Sequence, residues 1–95
     1  MDKHTICIDY DGTYTAMPEL MDKLITLAKG MGHRVICATM RYEDEGAEVL
    51  NTIGRHCEVF FTGHQAKSQF LIERGIVPSV WIDDKPHWIL MSSAA

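Results

Sequence analysis

The sequence has no run of basic residues and no apolar stretch near the roughly 20 residues of a membrane span. Nine Lys and Arg stand against 13 Asp and Glu, giving a net charge of −4. That balance disfavours duplex nucleic acid, whose binding needs many phosphates neutralised, and the lack of a span disfavours a membrane. Cysteine is scarce, with only Cys7, Cys37 and Cys57 and no Cys-x-x-Cys pair. An odd count without staple spacing points to reduced thiols, packed as small apolar side chains, in a cytoplasmic protein. His56 and Cys57 are neighbours, but no second ligand pair at zinc spacing accompanies them. No leader of charged then apolar residues is expected, because Met1-Asp2-Lys3-His4 lead straight into a strand. Repeats, linkers and low-complexity stretches are also missing, so residues 1–95 read as one domain.

Ordinary globular composition remains, with 46% hydrophobic and 23% charged residues. A chain of 95 residues encloses one modest core with a thin stability margin. Ile6-Cys7-Ile8, Val35-Ile36-Cys37-Ala38, Val59-Phe60-Phe61 and Val80-Trp81-Ile82 are short apolar runs, as expected of strands covered on both faces. Helical segments alternate with them. Pro18 suits a first helical turn, Glu19 lies near the positive end of its dipole, and Gly30 and Gly32 end the helix. Leu20, Leu24, Leu27, Ala28 and Met31 recur at helical spacing and are expected to form its buried stripe. A second helix is expected to carry Ala47, Leu50 and Ile53 on one side, and a third to run from about Ala66 to Arg74. Pro86 is expected to open a short last helix, and Ser92 to Ala95 to fray. The alternation implies a three-layer α/β/α, Rossmann-like sandwich on a mainly parallel sheet of about four strands, ordered 3-2-1-4.

Asp9, Thr39 and Asp83 each stand at the carboxyl end of an expected strand, the edge where open parallel sheets bind ligands. Lys67 begins the helix after the third strand, on the same edge. Asp9 and Asp11 are two apart, so an extended segment turns both toward one pocket, and Gly12 permits a tight turn or close approach. Asp83 and Asp84 add further charge. Four carboxylates around one crevice repel unless a hard cation, Mg²⁺ first, offsets them. Arg41 suits substrate phosphate, a neighbouring acid or solvent. His64 and His87 are placed on loops near the crevice as structural or exposed residues. Phe60, Phe61 and Trp81 read as core, and Met17 and Met21 as ordinary packing residues.

At these residues the chain resembles the haloacid dehalogenase-like hydrolase superfamily. Its first motif stands as Asp9-Tyr10-Asp11-Gly12-Thr13, its second as Thr39, its third as Lys67 and its fourth as Asp83-Asp84, in the family's order. The resemblance implies a phosphomonoester hydrolase. Asp9 would attack phosphorus and form an aspartyl-phosphate, and Asp11 would serve as general acid and base. Thr39, Lys67, Gly12 and Arg41 would hold the phosphoryl group. Mg²⁺ would sit on Asp9, Asp83 and the Asp11 carbonyl, with Asp84 either replacing Asp83 as ligand or holding Lys67.

The gaps from Tyr14 to Met17 and from Thr62 to Ala66 are too short for a cap domain. An open site favours a phosphorylated substrate that is macromolecular or carries an exposed phosphate, or a homo-oligomer that covers the site. Two alternatives stand beside the phosphatase. A phospho-accepting receiver module uses similar residues in another order, with its acidic pair early. A catalytically idle interaction module would fail to bind Mg²⁺.

Overall fold

Four strands form one all-parallel sheet in the computed structural model, which describes residues 3–93: β1 (Thr5–Ile8), β2 (Arg34–Thr39), β3 (Glu58–Phe61) and β4 (Val80–Ile82). Their order is β3-β2-β1-β4, as the sequence implies. The chain steps outward from β1 to β3, then crosses back to place β4 on the other side of β1. Helices α1 (Pro18–Gly30) and α2 (Ala47–Asn51) therefore share one face, and α3 (Lys67–Ile72) covers the other with α4 (His87–Leu90) beside it. No helix among the described residues is long and apolar enough to cross a membrane.

The apolar runs become strands because both faces are covered. Ile8 and Cys37 point to the α1 side, while Cys7, Ile36 and Ala38 point to the α3 side with Leu71 and Ile76. The aromatics split the same way, Phe61 toward the first cluster and Phe60 and Trp81 toward the second.

Two expected helix faces are corrected. In α1 the buried residues are Met21, Ile25 and Ala28, while Leu20, Leu27 and Met31 are more than half exposed and Leu24 is half-buried. Both sets recur at helical spacing, about 100° apart around the helix, so periodicity alone does not choose between them. In the α2 region Val49 and Ile53 are buried, whereas Ala47 and Leu50 are exposed. Thr52 breaks the helix at φ −119° and ψ −97°, and Ile53 enters the core from a separate tight turn, Ile53–Arg55.

The ends also differ. Helix α3 stops at Ile72, short of the expected Arg74, and a turn through Gly75 follows. His87 is the first residue of α4, not a loop residue. Ser92 and Ser93 are held rather than frayed: the Ala66 N–H donates to Ser92 Oγ at 3.0 Å, and the Ser93 N–H donates to the His64 carbonyl at 2.8 Å. The rest of that expected tail, Ala94 and Ala95, and the Met1-Asp2 lead-in lie outside the described residues.

Candidate active site

Sheet register explains why distant acids meet. Ile8 and Ile82 are paired neighbours on β1 and β4, so Asp9 and Asp83 leave the sheet side by side. The Asp9 N–H still donates to the Ile82 carbonyl, at 2.9 Å. Strand order reverses between β1 and β4, where a parallel sheet opens a crevice at its carboxyl edge. Here the crevice encloses about 300 Å³, and Asp9, Asp11, Thr39, Lys67, Asp83 and Asp84 all line it.

Lys67, the first residue of α3, is buried at the centre of this group. Its Nζ donates to Asp9 Oδ1 at 2.7 Å and to Asp83 Oδ2 at 2.6 Å. Asp83 Oδ1 accepts the Lys85 N–H at 2.9 Å. Asp83, not Asp84, therefore holds Lys67. Burial pushes the Asp9 carboxyl up to about 6, although hydrogen bonding and attraction from Lys67 oppose it. Burial also works against the Lys67 ammonium, but its bonds to Asp83 and Asp9 outweigh this and raise its pKa. The hydrogen bond with Asp9, and then one from Thr13, hold the Asp84 carboxyl below its ordinary value.

Carboxylate oxygens of Asp9, Asp83 and Asp84 lie within 4.8 Å of one another. Three carboxylates against one ammonium leave two negative charges, and hard oxygen donors at this spacing fit a small divalent cation. The Asp11 carboxylate is not in this trio. Instead it accepts two bonds from Arg41, Nε at 2.9 Å and Nη2 at 2.7 Å. Arg41 also bonds Glu48 at 2.8 Å and lies 5.1 Å from the centre of the Tyr10 ring. The Asp11 hydrogen bond raises its pKa, so the guanidinium stays charged. Of the three settings considered for Arg41, the structure gives it the neighbouring acid.

Thr39 is fully buried, and its hydroxyl accepts the Arg41 N–H at 3.3 Å. The Gly12 N–H donates to Thr15 Oγ1 at 2.9 Å. Gly12 has φ +84°, and a Cβ there would fall against the Asp84 carboxylate. Its role in the site is to let Asp84 close on the first loop.

Two residues matter more than their sequence setting suggests. Thr13 is buried; its hydroxyl lies 3.2 Å from Asp9 Oδ2 and 3.1 Å from Asp84 Oδ1, and accepts the Asp84 N–H at 3.0 Å. A hydroxyl after Asp-Gly was the signal available. His64 adopts φ +72°, lines the crevice and buries an Nδ1 that has no hydrogen-bond partner. No sequence pattern marks that conformation, because tertiary bonds impose it: the His64 N–H donates to Met40 O and its carbonyl accepts from Ser93. The His87 ring lies 4.4 Å from that of Trp88, tilted by 53°, and does not line the crevice. His56 pairs with Asp22 at 3.4 Å, and among the described residues no zinc-type His and Cys cluster forms.

Fold and site together define an α/β domain with an acidic, ammonium-bridged crevice at the switch point of a parallel sheet. Comparison of the chain with protein-family models, with curated proteins and with solved structures finds no match.

Proposed function

We propose that this chain is a capless, haloacid dehalogenase-like phosphomonoesterase that uses Mg²⁺, with Asp9 as nucleophile and Asp11 as general acid and base. The observation that carries the reading is the buried Asp9 carboxylate, bridged by Lys67 to Asp83 within a three-carboxylate cluster beside Thr39. Phosphoryl transfer depends chiefly on positioning and charge stabilisation, and these groups supply both. Mg²⁺ held by Asp9, Asp83 and Asp84 would supply countercharge for the phosphoryl oxygens.

An Asp9 oxygen attacks phosphorus, and the bond to the leaving oxygen breaks. Asp11 relays a proton from solvent to that oxygen as it leaves. Asp11 then takes a proton from water, whose oxygen attacks phosphorus. The bond to Asp9 breaks, releasing inorganic phosphate and restoring the carboxylate. Lys67 and Thr39 orient the phosphoryl group. Asp11 is exposed, and Glu48 keeps a bond to Arg41 when Asp11 turns toward substrate. Without a cap, the crevice suits a phosphate presented by a macromolecule or at an exposed position. Cys7 and Cys37 are buried free thiols, which supports a cytoplasmic setting.

The test is hydrolysis of an aryl phosphate with Mg²⁺. Asp9→Asn is expected to lower turnover by at least ~10³-fold, since it removes the attacking group. Metal-dependent activity that survives Asp9→Asn removes Asp9 from the nucleophile role. A long-lived phosphorylated form without turnover favours the receiver reading instead.

A further inference from the structure

His64 is unfavourable in two ways at once. Among the described residues it is the one non-glycine at positive φ, +72°, and its Nδ1 is the one buried side-chain nitrogen or oxygen without a hydrogen bond. Strained backbone and orphaned polar atoms persist where the surroundings impose them, and they concentrate at ligand sites. Here the His64 N–H donates to the Met40 carbonyl after β2, and the His64 carbonyl accepts from Ser93 after α4. Those two bonds draw the loop after β3 toward both β2 and α4. Met40, His64 and Trp88, all half-buried, consequently share the crevice with the acids. No described residue bonds to the His64 ring or to the Trp88 indole N–H; these rings lie instead 5.1 Å from Tyr42 and 4.4 Å from His87.

We infer that Met40, His64 and Trp88 form the subsite for the group that bears the phosphate, and that this group is a nucleoside, so the substrate is a nucleoside monophosphate. The inference rests on the phosphomonoesterase reading, which sets the phosphoryl end at Asp9, Thr39 and Lys67. Aromatic and thioether surface beside an acidic centre favours a planar ring, because any base presents a face that stacks. The edge of a base offers donors and acceptors together. It therefore suits an imidazole without partners and an indole N–H, which a plain hydrocarbon ring would leave unpaired. Charge limits the rest of the ligand. On the same wall Lys85 and Glu45 cancel, and the chain is at −4, so no cationic track extends from the crevice for further phosphates. A crevice of about 300 Å³ is at the lower end for small-molecule pockets, which matches one nucleotide and not a strand.

Calorimetric titration of Asp9→Asn in Mg²⁺ reads the subsite without turnover. The probes are adenosine 5′-monophosphate and ribose 5-phosphate, which share sugar and phosphoester and differ by the base. The nucleotide is expected to bind at least ~10-fold tighter, an ordinary gain for stacking one base. His64→Gly and Trp88→Leu, each added to Asp9→Asn, are expected to bring that ratio below ~3. Glycine takes φ +72° without strain, so His64→Gly removes the ring and spares the backbone. Circular dichroism establishes that each chain is folded. With Asp9 restored, kcat/KM should show the same preference, and its loss in His64→Gly should appear chiefly in KM. No binding of the nucleotide, or a ratio near one, overturns the subsite, and the catalytic reading survives that result wherever the wild-type chain hydrolyses an aryl phosphate. A ratio unchanged in both His64→Gly and Trp88→Leu overturns the assignment to these side chains, and phenyl phosphate bound as tightly as the nucleotide overturns the nucleoside. A ratio that holds in a chain hydrolysing no phosphoester supports the subsite and removes the catalytic reading alone.

Discussion

Thr13 ties the first and last loops of the site with a single hydroxyl that reaches both Asp9 and Asp84. Thr13→Val keeps the shape and removes the bonds, leaving the part-buried Asp84 N–H without its acceptor. Urea unfolding is expected to show a loss of about 1–3 kcal/mol, with Thr13→Ser close to wild type. Asp9 offers a test by pH. Its folded pKa of about 6 exceeds the ordinary aspartate value of 3.8, so between these values the folded chain keeps a proton that the unfolded chain has released. The stabilising contribution of Asp9 in the metal-free protein is complete below the lower value and is lost as pH rises through about 6. The stability of wild type minus that of Asp9→Asn should therefore fall between about pH 4 and about pH 7 and then level off. A difference that stays flat across this interval contradicts the buried setting of Asp9. Of the site, Asp9, Thr39, Lys67 and Asp83 were legible because each sits where an apolar run ends or a helix begins. The Thr13 bridge was not, because it joins residues 71 apart through contacts that exist only in the folded chain.

At the scale of the element, strand positions could be read from the sequence and helix faces could not. A strand buried on both sides needs only an apolar run, which Val35 to Ala38 supply without ambiguity. A helix must also be given a rotational phase, and α1 has two apolar stripes at legitimate spacing. The choice falls to Met21, Ile25 and Ala28, which join the cluster containing Tyr10 and Tyr14 from the wide turn that feeds the helix. Around α2 the same ambiguity is resolved by the break at Thr52. Mutation reads this phase directly. Ile53→Ala, at a fully buried position, is expected to cost about 2–5 kcal/mol through lost transfer energy and a cavity. Leu50→Ala, at an exposed position three residues earlier, should stay within about 0.5 kcal/mol. Equal losses at the two sites, measured by chemical denaturation, contradict the assignment of the inward face.

For the molecule as a whole, the acidic crevice sets stability against function. A chain of 95 residues has a total stability of roughly 5–14 kcal/mol. Lys67 is the ammonium that bridges Asp9 and Asp83, and both carboxylates are buried with it. Removing one partner from a buried charge network costs about 3–5 kcal/mol, because the others stay behind without compensation. Lys67→Met is therefore expected to consume a large share of the margin in metal-free buffer and to lower Tm by more than 10 °C, at about 4–8 °C per kcal/mol for a domain this small. A divalent cation bound by the carboxylates acts in the opposite direction. At a hundred times its dissociation constant it stabilises the folded state by about 2.7 kcal/mol, roughly 10–20 °C in Tm for the wild-type chain. The rise should be as large or larger in Lys67→Met, where the cation meets uncompensated charge, and Na⁺ at equal ionic strength should not reproduce it. Asp83→Asn should abolish the rise by removing a ligand from the trio. Thermal unfolding of the three chains with and without Mg²⁺ measures every one of these shifts, and a wild-type Tm indifferent to Mg²⁺ would mean that the trio does not bind the cation.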